Sequence, residues 1–192
     1  MPYTVAGYAA HTPGTPLTPF SFYRRASHRD DLVIDILYCG ECHSDIHNTR
    51  NDWGSAKYPI VPGHEIIGRV QSVGSNVTGF KAGDKVGVGC MVGSCQHCEC
   101  VPCRPRTVLR KRRHHTYNAI DLQDGAPTFG GYSDSIVVNE KPVLRVPDGL
   151  DLAGAALLPA PGSPHGRRRA TGKWDPVARW LSLASAAWST WC

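Results

Sequence analysis

From Asp31 onward the chain sets short apolar runs between turns marked by glycine and proline. Asp31-Leu32-Val33-Ile34-Asp35-Ile36-Leu37 begins by alternating and then becomes apolar, and Ile66 to Val73 is a second such run, ended by Gly74-Ser75-Asn76. Lys85-Val86-Gly87-Val88 follows the turn Ala82-Gly83-Asp84, and Tyr132 to Val138 and Val143 to Val146 repeat the pattern. Strands at this spacing predict a mainly β fold, either a barrel or a sandwich. Asp45 to Thr49 is the one short helical candidate among them. No βαβ succession is visible, so a parallel nucleotide-binding sheet is not expected in the chain as written.

Two windows break the pattern. Arg104 to His115 is rich in arginine, and Pro159 to Cys192 mixes Arg167-Arg168-Arg169 with Trp174, Trp180, Trp188 and Trp191. Neither shows a strand or helix period. Abrupt shifts of this kind ordinarily mark linkers or disordered tails, yet tryptophan is depleted in such segments.

Composition adds bounds. With 192 residues, the chain is long enough for one packed domain, or one domain and a tail. A net charge of +5 and 41% hydrophobic residues fit a soluble protein. No run reaches the roughly 18 apolar residues of a membrane span, and Met1-Pro2-Tyr3-Thr4 opens no secretion signal. A cytoplasmic protein without a membrane partner is the expectation, in which Asn76-Val77-Thr78 would not be glycosylated. Five of the eight cysteines fall between Cys90 and Cys103 beside His97, which favours metal over disulfides.

The candidate chemistry centres on Cys42-His43-Ser44-Asp45 and, 22 positions beyond the cysteine, on His64-Glu65. Thiolate and imidazole are ligand types that hold Zn²⁺ in an open, reactive site. A hydroxyl and further histidines beside them can move a proton. Singly, Cys42 reads as a buried core thiol and His64 as a satisfied histidine at a strand end.

Tyr38 to His47, Tyr58-Pro59-Ile60-Val61-Pro62-Gly63-His64-Glu65, Gly87-Val88-Gly89-Cys90 and Gly130-Gly131-Tyr132 together resemble the zinc-dependent alcohol dehydrogenases. The match is to the cinnamyl-alcohol-dehydrogenase-like branch of the medium-chain dehydrogenase/reductase family. It runs from about Tyr3 to Leu158, apart from Cys100 to His115. The resemblance implies a GroES-like β-barrel catalytic domain over residues 1–158, which the family follows with a Rossmann domain for NADP or NAD. It implies Cys42 and His64 as catalytic zinc ligands, with Glu65 as a nearby carboxylate that sometimes coordinates. Ser44 and His47 would form the proton relay, His43 would face the coenzyme, Asp45 would orient the ligands, and Trp53 and Cys90 would line the substrate pocket. The implied reaction interconverts a primary alcohol and its aldehyde by hydride transfer, in an enzyme that forms homodimers.

The chain also departs from the family. The family's structural zinc takes cysteines spaced C-x2-C-x2-C-x7-C; here Cys95 and Cys98 match, while Val101 and Leu109 fill the other two positions. Cys100 and Cys103 sit out of register, so a four-cysteine site would need a tighter loop. Where the family carries its third catalytic ligand in Leu-Leu-Cys-Ala-Gly-Ile-Thr, this chain reads Leu157-Leu158-Pro159-Ala160-Pro161-Gly162-Ser163. The glycine fingerprint of a Rossmann domain does not occur.

Both windows read as family sequence in a shifted frame. If Arg104 to Arg110 is encoded CGG CCT CGA ACA GTA CTG CGA, starting one base later gives Gly-Leu-Glu-Gln-Tyr-Cys-Glu, the family's stretch around its fourth structural cysteine. Read one base earlier, Lys173 to Trp188 permits the first Rossmann strand and its glycine turn, and Ala160 to Ser163 permits Cys-Ala-Gly-Ile. On this reading residues 100–115 and the irregular tail 159–192 are out of frame, the coenzyme domain is missing, and the chain is an inactive remnant of the enzyme. The alternative is a zinc-knuckle module that binds nucleic acid through the Cys/Arg segment 95–115.

Overall fold

The fold comes from a computed structural model that describes residues 1–94, 113–121 and 123–156. The first half contains β1 (Tyr3–Ala9), β2 (Thr18–Arg24), β3 (Asp31–Gly40), α1 (His43–Arg50), β4 (Glu65–Val73), β5 (Lys85–Val88) and β6 (Met91–Ser94). Then come β7 (Arg113–His115), β8 (Ser135–Asn139), β9 (Leu144–Arg145) and the single turn α2 (Leu152–Ala155). The candidate structural-zinc residues Cys95, Cys98, Cys100 and Cys103 lie outside the described residues, as do most of the arginine-rich window and the tail 159–192.

A five-stranded sheet in the order β8-β3-β4-β5-β9 forms the body, with β1-β2 and β6-β7 as separate two-stranded ladders. All the strand ladders among the described residues are antiparallel. Alternation builds the core. Leu32 and Ile34 of β3, Val86 and Val88 of β5, and Ile136 and Val138 of β8 all face one buried cluster, joined by Ile66 and Val70 of β4. Burying a side chain of this size contributes about 1.5–3 kcal/mol relative to leaving it in water. This cluster therefore sets which face of each strand points inward.

The long β3–β4 ladder contains two irregularities that matter for the site. Leu32 and Val33 pair with Val73 and Ser72, then Ile34 pairs with Val70, so Gln71 is the odd residue on β4. Further along, Ile36 pairs with Gly68 and Tyr38 with Ile67, so Leu37 is the odd residue on β3. The two offsets cancel, and the ladder ends with Gly40 opposite Glu65.

A second cluster, Val5, Ala9, Phe22 and Val61 with Phe20, Phe129 and Tyr132, packs the β1-β2 ladder onto the segment before β8. Tyr8 donates its amide to the Tyr132 carbonyl at 2.9 Å. Arg24 closes this junction from within. Its guanidinium is buried and donates to the carbonyls of Ser135, Phe129 and Gly130 at 3.0, 2.7 and 3.1 Å and to Ser133 Oγ at 3.1 Å. Burial lowers its pKa to about 10, still high enough to keep the cation at neutral pH.

The strand expectations at Asp31, Ile66, Lys85, Tyr132 and Val143 coincide with β3, β4, β5, β8 and β9, and the helical candidate with α1. Strands β1, β2, β6 and β7 were not anticipated. Of the window Arg104 to His115 only 113–115 are among the described residues, and they form β7, whose central residue, His114, is 8% exposed. An inward histidine between basic neighbours carries no apolar alternation. Among the described residues no helix is long and apolar enough to cross a membrane.

Replacing Arg24 with Met is expected to destabilise the chain by about 3 kcal/mol, because the carbonyls of Ser135, Phe129 and Gly130 lose the guanidinium donors at a buried junction. Lysine should restore little of this, since it lacks the planar fork that reaches several acceptors at once. Urea unfolding midpoints of the two variants check both statements.

Candidate metal centre

The end of β3 and the start of β4 lie side by side, so residues flanking the Gly40–Glu65 pair meet in space. Cys42 is two residues past Gly40 and caps α1 with extended backbone, φ −109° and ψ 148°. The Cys42 carbonyl accepts the amide of Asp45 at 2.9 Å, while the Asp45 carboxylate accepts the Cys42 amide at 3.0 Å. This reciprocal pair places the Cys42 sulfur at the N-terminus of α1. Ser44 Oγ donates to Cys42 Sγ at 3.2 Å.

Asp45 is 4% exposed and ties α1 to the segment before β4. Its Oδ1 accepts the Gly63 amide at 3.1 Å and lies 3.2 Å from His64 Nδ1. Gly63 allows this approach with φ +98°; a Cβ there would stand 2.7 Å from Tyr132 Cδ1 and 2.8 Å from Cys39 Sγ. Burial alone would raise the Asp45 carboxyl pKa, but hydrogen bonds from His64 and Tyr117 and the charge of His64 bring it below its ordinary value. Burial likewise opposes charge on His64, and the Asp45 contact outweighs it and raises the imidazole pKa. With Nδ1 engaged by a carboxylate, Nε2 is the nitrogen left to bind a metal.

Glu65, 5% exposed, completes the cluster. One ligand atom each from Cys42, His64 and Glu65 lie within 4.8 Å of one another. Glu65 Oε2 is buried without a hydrogen-bond partner, and burial raises the carboxyl pKa. An orphaned carboxylate oxygen beside sulfur and imidazole is the environment a divalent cation would satisfy. The donors suit zinc, and the three residues fit it on this observation. Cys39, only three positions before Cys42, differs in kind: its buried thiol is pushed up to about 12 and stays protonated.

The exposed side of α1 carries the other candidates. His47 Nδ1 is 2.8 Å from Asp52 Oδ2, and the His43 and His47 rings meet edge to face with centroids 4.7 Å apart. Trp53 lies against His47 at 5.2 Å and is 57% exposed. Cys90 lies between β5 and β6, where its carbonyl accepts the Thr116 amide at 3.0 Å. Asp52, Asn48, Tyr117 and Gly40 were not singled out from the sequence. Gly40 alone had a possible signal, a glycine ending a strand one residue before an acidic-cysteine pair.

The profile of the alcohol dehydrogenase GroES-like domain matches residues 28–148. Over 154 residues the chain is 53% identical to the protein named "Probable cinnamyl alcohol dehydrogenase 8C" of Oryza sativa subsp. japonica, covering 79% of this chain and 35% of that one. It is 51% identical over 156 residues to NADP-dependent alcohol dehydrogenase C 1 of Mycolicibacterium smegmatis, covering 81% and 44%. A solved cinnamyl alcohol dehydrogenase of Sorghum bicolor superposes with a TM-score of 0.76 at 45% identity, covering 81% of this chain and 44% of that chain. The chain thus spans less than half the length of the curated relatives it matches.

Gly40 has no side chain because the Glu65 carboxylate occupies that space: a Cβ there would overlap Glu65 Oε2 and stand 3.1 Å from the Ala156 carbonyl. Gly40→Ala is expected to cost about 1–3 kcal/mol of stability and to be milder in a Glu65→Ala background. Urea unfolding of the two singles and the double checks this.

Proposed function

Because the chain belongs to the alcohol dehydrogenase GroES-like domain family, we propose that residues 1–158 form the zinc-holding catalytic domain of an NAD(P)-linked alcohol dehydrogenase. The observation that carries this reading is the convergence of Cys42, His64 and Glu65 around an unpartnered buried carboxylate oxygen. Zinc held by these three would supply Lewis acidity, lowering the pKa of an alcohol or polarising an aldehyde. Asp45 fixes the His64 ring from behind by its contact at Nδ1.

Ser44 and His47 are three residues apart on α1 and so share a face. Ser44 Oγ is beside the candidate ligand Cys42, placing a hydroxyl within reach of a substrate oxygen at the centre. We assign Ser44 to take the alcohol proton and His47 to pass it outward. Asp52, half exposed and bonded to His47 Nδ1, orients that imidazole toward the exchange. A bound nicotinamide would take or give the hydride; His43, exposed at the start of α1, is the candidate to face it. Trp53 beside His47 is the candidate pocket wall. The substrate is a small alcohol or aldehyde, and the family reading carries a cytoplasmic homodimer with it.

Equilibrium dialysis of the metal-free chain tests the centre. One Co²⁺ or Zn²⁺ is expected to bind at Cys42, His64 and Glu65, with a thiolate-to-cobalt charge-transfer band in the near ultraviolet. Cys42→Ser should abolish the band, and His64→Ala should abolish binding. Metal uptake that survives both substitutions unchanged would falsify the assignment.

A further inference from the structure

We propose that Asn51 is a positioning residue for the outer end of the proton path: its left-handed backbone folds Asp52 back onto His47, and its side chain holds closed the loop that carries Asp52 and Trp53. The inference rests on the reading of Ser44 and His47 as a proton path above and names the residue that builds the far end of that path.

On a continuing helix, residues 47 and 52 would stand about 140° apart around the axis and could not meet. The helix stops instead at Asn51, whose φ of 60° and ψ of 31° lie in the left-handed region. Two backbone bonds close this end. The Asn51 amide donates to the Asn48 carbonyl at 3.1 Å, and the Asp52 amide donates to the His47 carbonyl at 3.0 Å. This is the pair of bonds by which a left-handed residue ends a helix. The second bond sets the backbone of Asp52 beside that of His47. Residues so joined commonly share an apolar contact; here they share the 2.8 Å contact between His47 Nδ1 and Asp52 Oδ2. Both side chains are partly open to water, and an exposed ion pair alone does little to hold two side chains in one geometry. The bend supplies the geometry that the pair lacks.

Glycine is the usual residue at such a bend, so the asparagine side chain needs its own explanation. Its Oδ1 accepts the Ala56 amide at 2.9 Å, and its carbonyl accepts the Gly54 amide at 3.0 Å. Residues 52–55 are thereby folded into a short loop that begins and closes at Asn51. Trp53 stands in that loop, its ring 5.2 Å from that of His47. One residue thus places a carboxylate on one nitrogen of the imidazole and an indole against its ring. With a carboxylate accepting at Nδ1, the neutral ring carries its proton there and leaves Nε2 to take one.

The test is nitrogen NMR of the histidine rings in the full chain at about pH 8.5, where histidine is ordinarily neutral, with the His47 signals assigned by their loss in His47→Gln. Wild type is expected to show the Nδ1-protonated ring, and Asp52→Ala the Nε2-protonated ring that a free imidazole favours. Asn51→Val puts a β-branched side chain where the left-handed region excludes it; it should revert to the Nε2 form as fully as Asp52→Ala, and Asn51→Ala should revert in part. Asn51→Asp tolerates the bend and keeps an acceptor for the Ala56 amide, so it should retain the wild-type ring. Tyr58→Phe loosens the same helix end by removing the 2.8 Å bond from Tyr58 Oη to the Thr49 carbonyl; it should lower the unfolding midpoint and leave the His47 signals unchanged. The proposal is overturned by a wild-type ring in whichever of Asn51→Val and Asn51→Ala folds, or by a reversion in Tyr58→Phe as large as theirs. Loss of the wild-type ring in Asn51→Asp also overturns it. A wild-type ring that already carries its proton on Nε2, or that Asp52→Ala leaves unchanged, would instead sink the reading of His47 and Asp52, and this inference with it.

Discussion

The structure depends on one register. Gly40 of β3 faces Glu65 of β4, and everything in the candidate centre is arranged around that pair. In an antiparallel ladder a slip of one residue sends every side chain to the opposite face. Here a slip is introduced at Gln71 and taken back at Leu37, within one pair of strands. The apolar cluster fixes the register near Leu32 and Ile34, and the second irregularity brings the far end back into step. Without Leu37 the Glu65 carboxylate would face a residue with a side chain instead of the gap that Gly40 leaves for it. A packing requirement at one end of β3 and a chemical requirement at the other are reconciled by a single extra residue.

The second constraint is charge. Cys42, Asp45, His64 and Glu65 bring three acidic or thiol groups and one imidazole into a half-buried to buried space. Asp45 and His64 stabilise each other's charged forms, shown by the opposite directions of their shifts. At Glu65 burial outweighs the charge of His64 and shifts the carboxyl toward its neutral form. The imbalance among these four groups is what a divalent cation would correct. Cys39, three positions before Cys42, is desolvated, and burial pushes its thiol toward the neutral form.

Much of this was legible in the chain itself, for identifiable reasons. Strands β3, β5 and β8 show in the sequence because both their alternation and their turns are local. Strand β2 does not, since Pro19 and the buried cation Arg24 interrupt its apolar pattern, and β7 does not, since its inward residue is His114. At the candidate centre, Cys42, Ser44, His47 and His64 were visible as residue types that bind metal or move protons. Asp52 was not: a carboxylate five residues past a histidine carries no pattern until Asn51 turns the chain with φ +60°. Tyr117 and Asn48 gave no signal either, because they are 69 residues apart and their bond exists only in the tertiary fold. The resemblance supplied what spacing could not, the pairing of Cys42 with His64 across β3 and β4.

Helix α1 shows how these forces divide. It has eight residues, and Asp45 is its only buried one. A helix this short and polar would not persist alone in water, and it has no apolar stripe to dock by burial. Directional bonds hold it instead. Asp45 reaches Gly63 and His64, Asn48 reaches Tyr117 and Asn118, and the Thr49 carbonyl accepts from both Tyr58 Oη at 2.8 Å and the Gly14 amide at 3.1 Å. Apolar packing tolerates small rotations and slides, whereas hydrogen bonds to named atoms do not. A helix that must hold Ser44 beside one ligand and His47 beside the solvent gains more from the second kind of attachment. The apolar core sets where the sheet ends, and this polar lattice sets the orientation of the side chains that would do chemistry there.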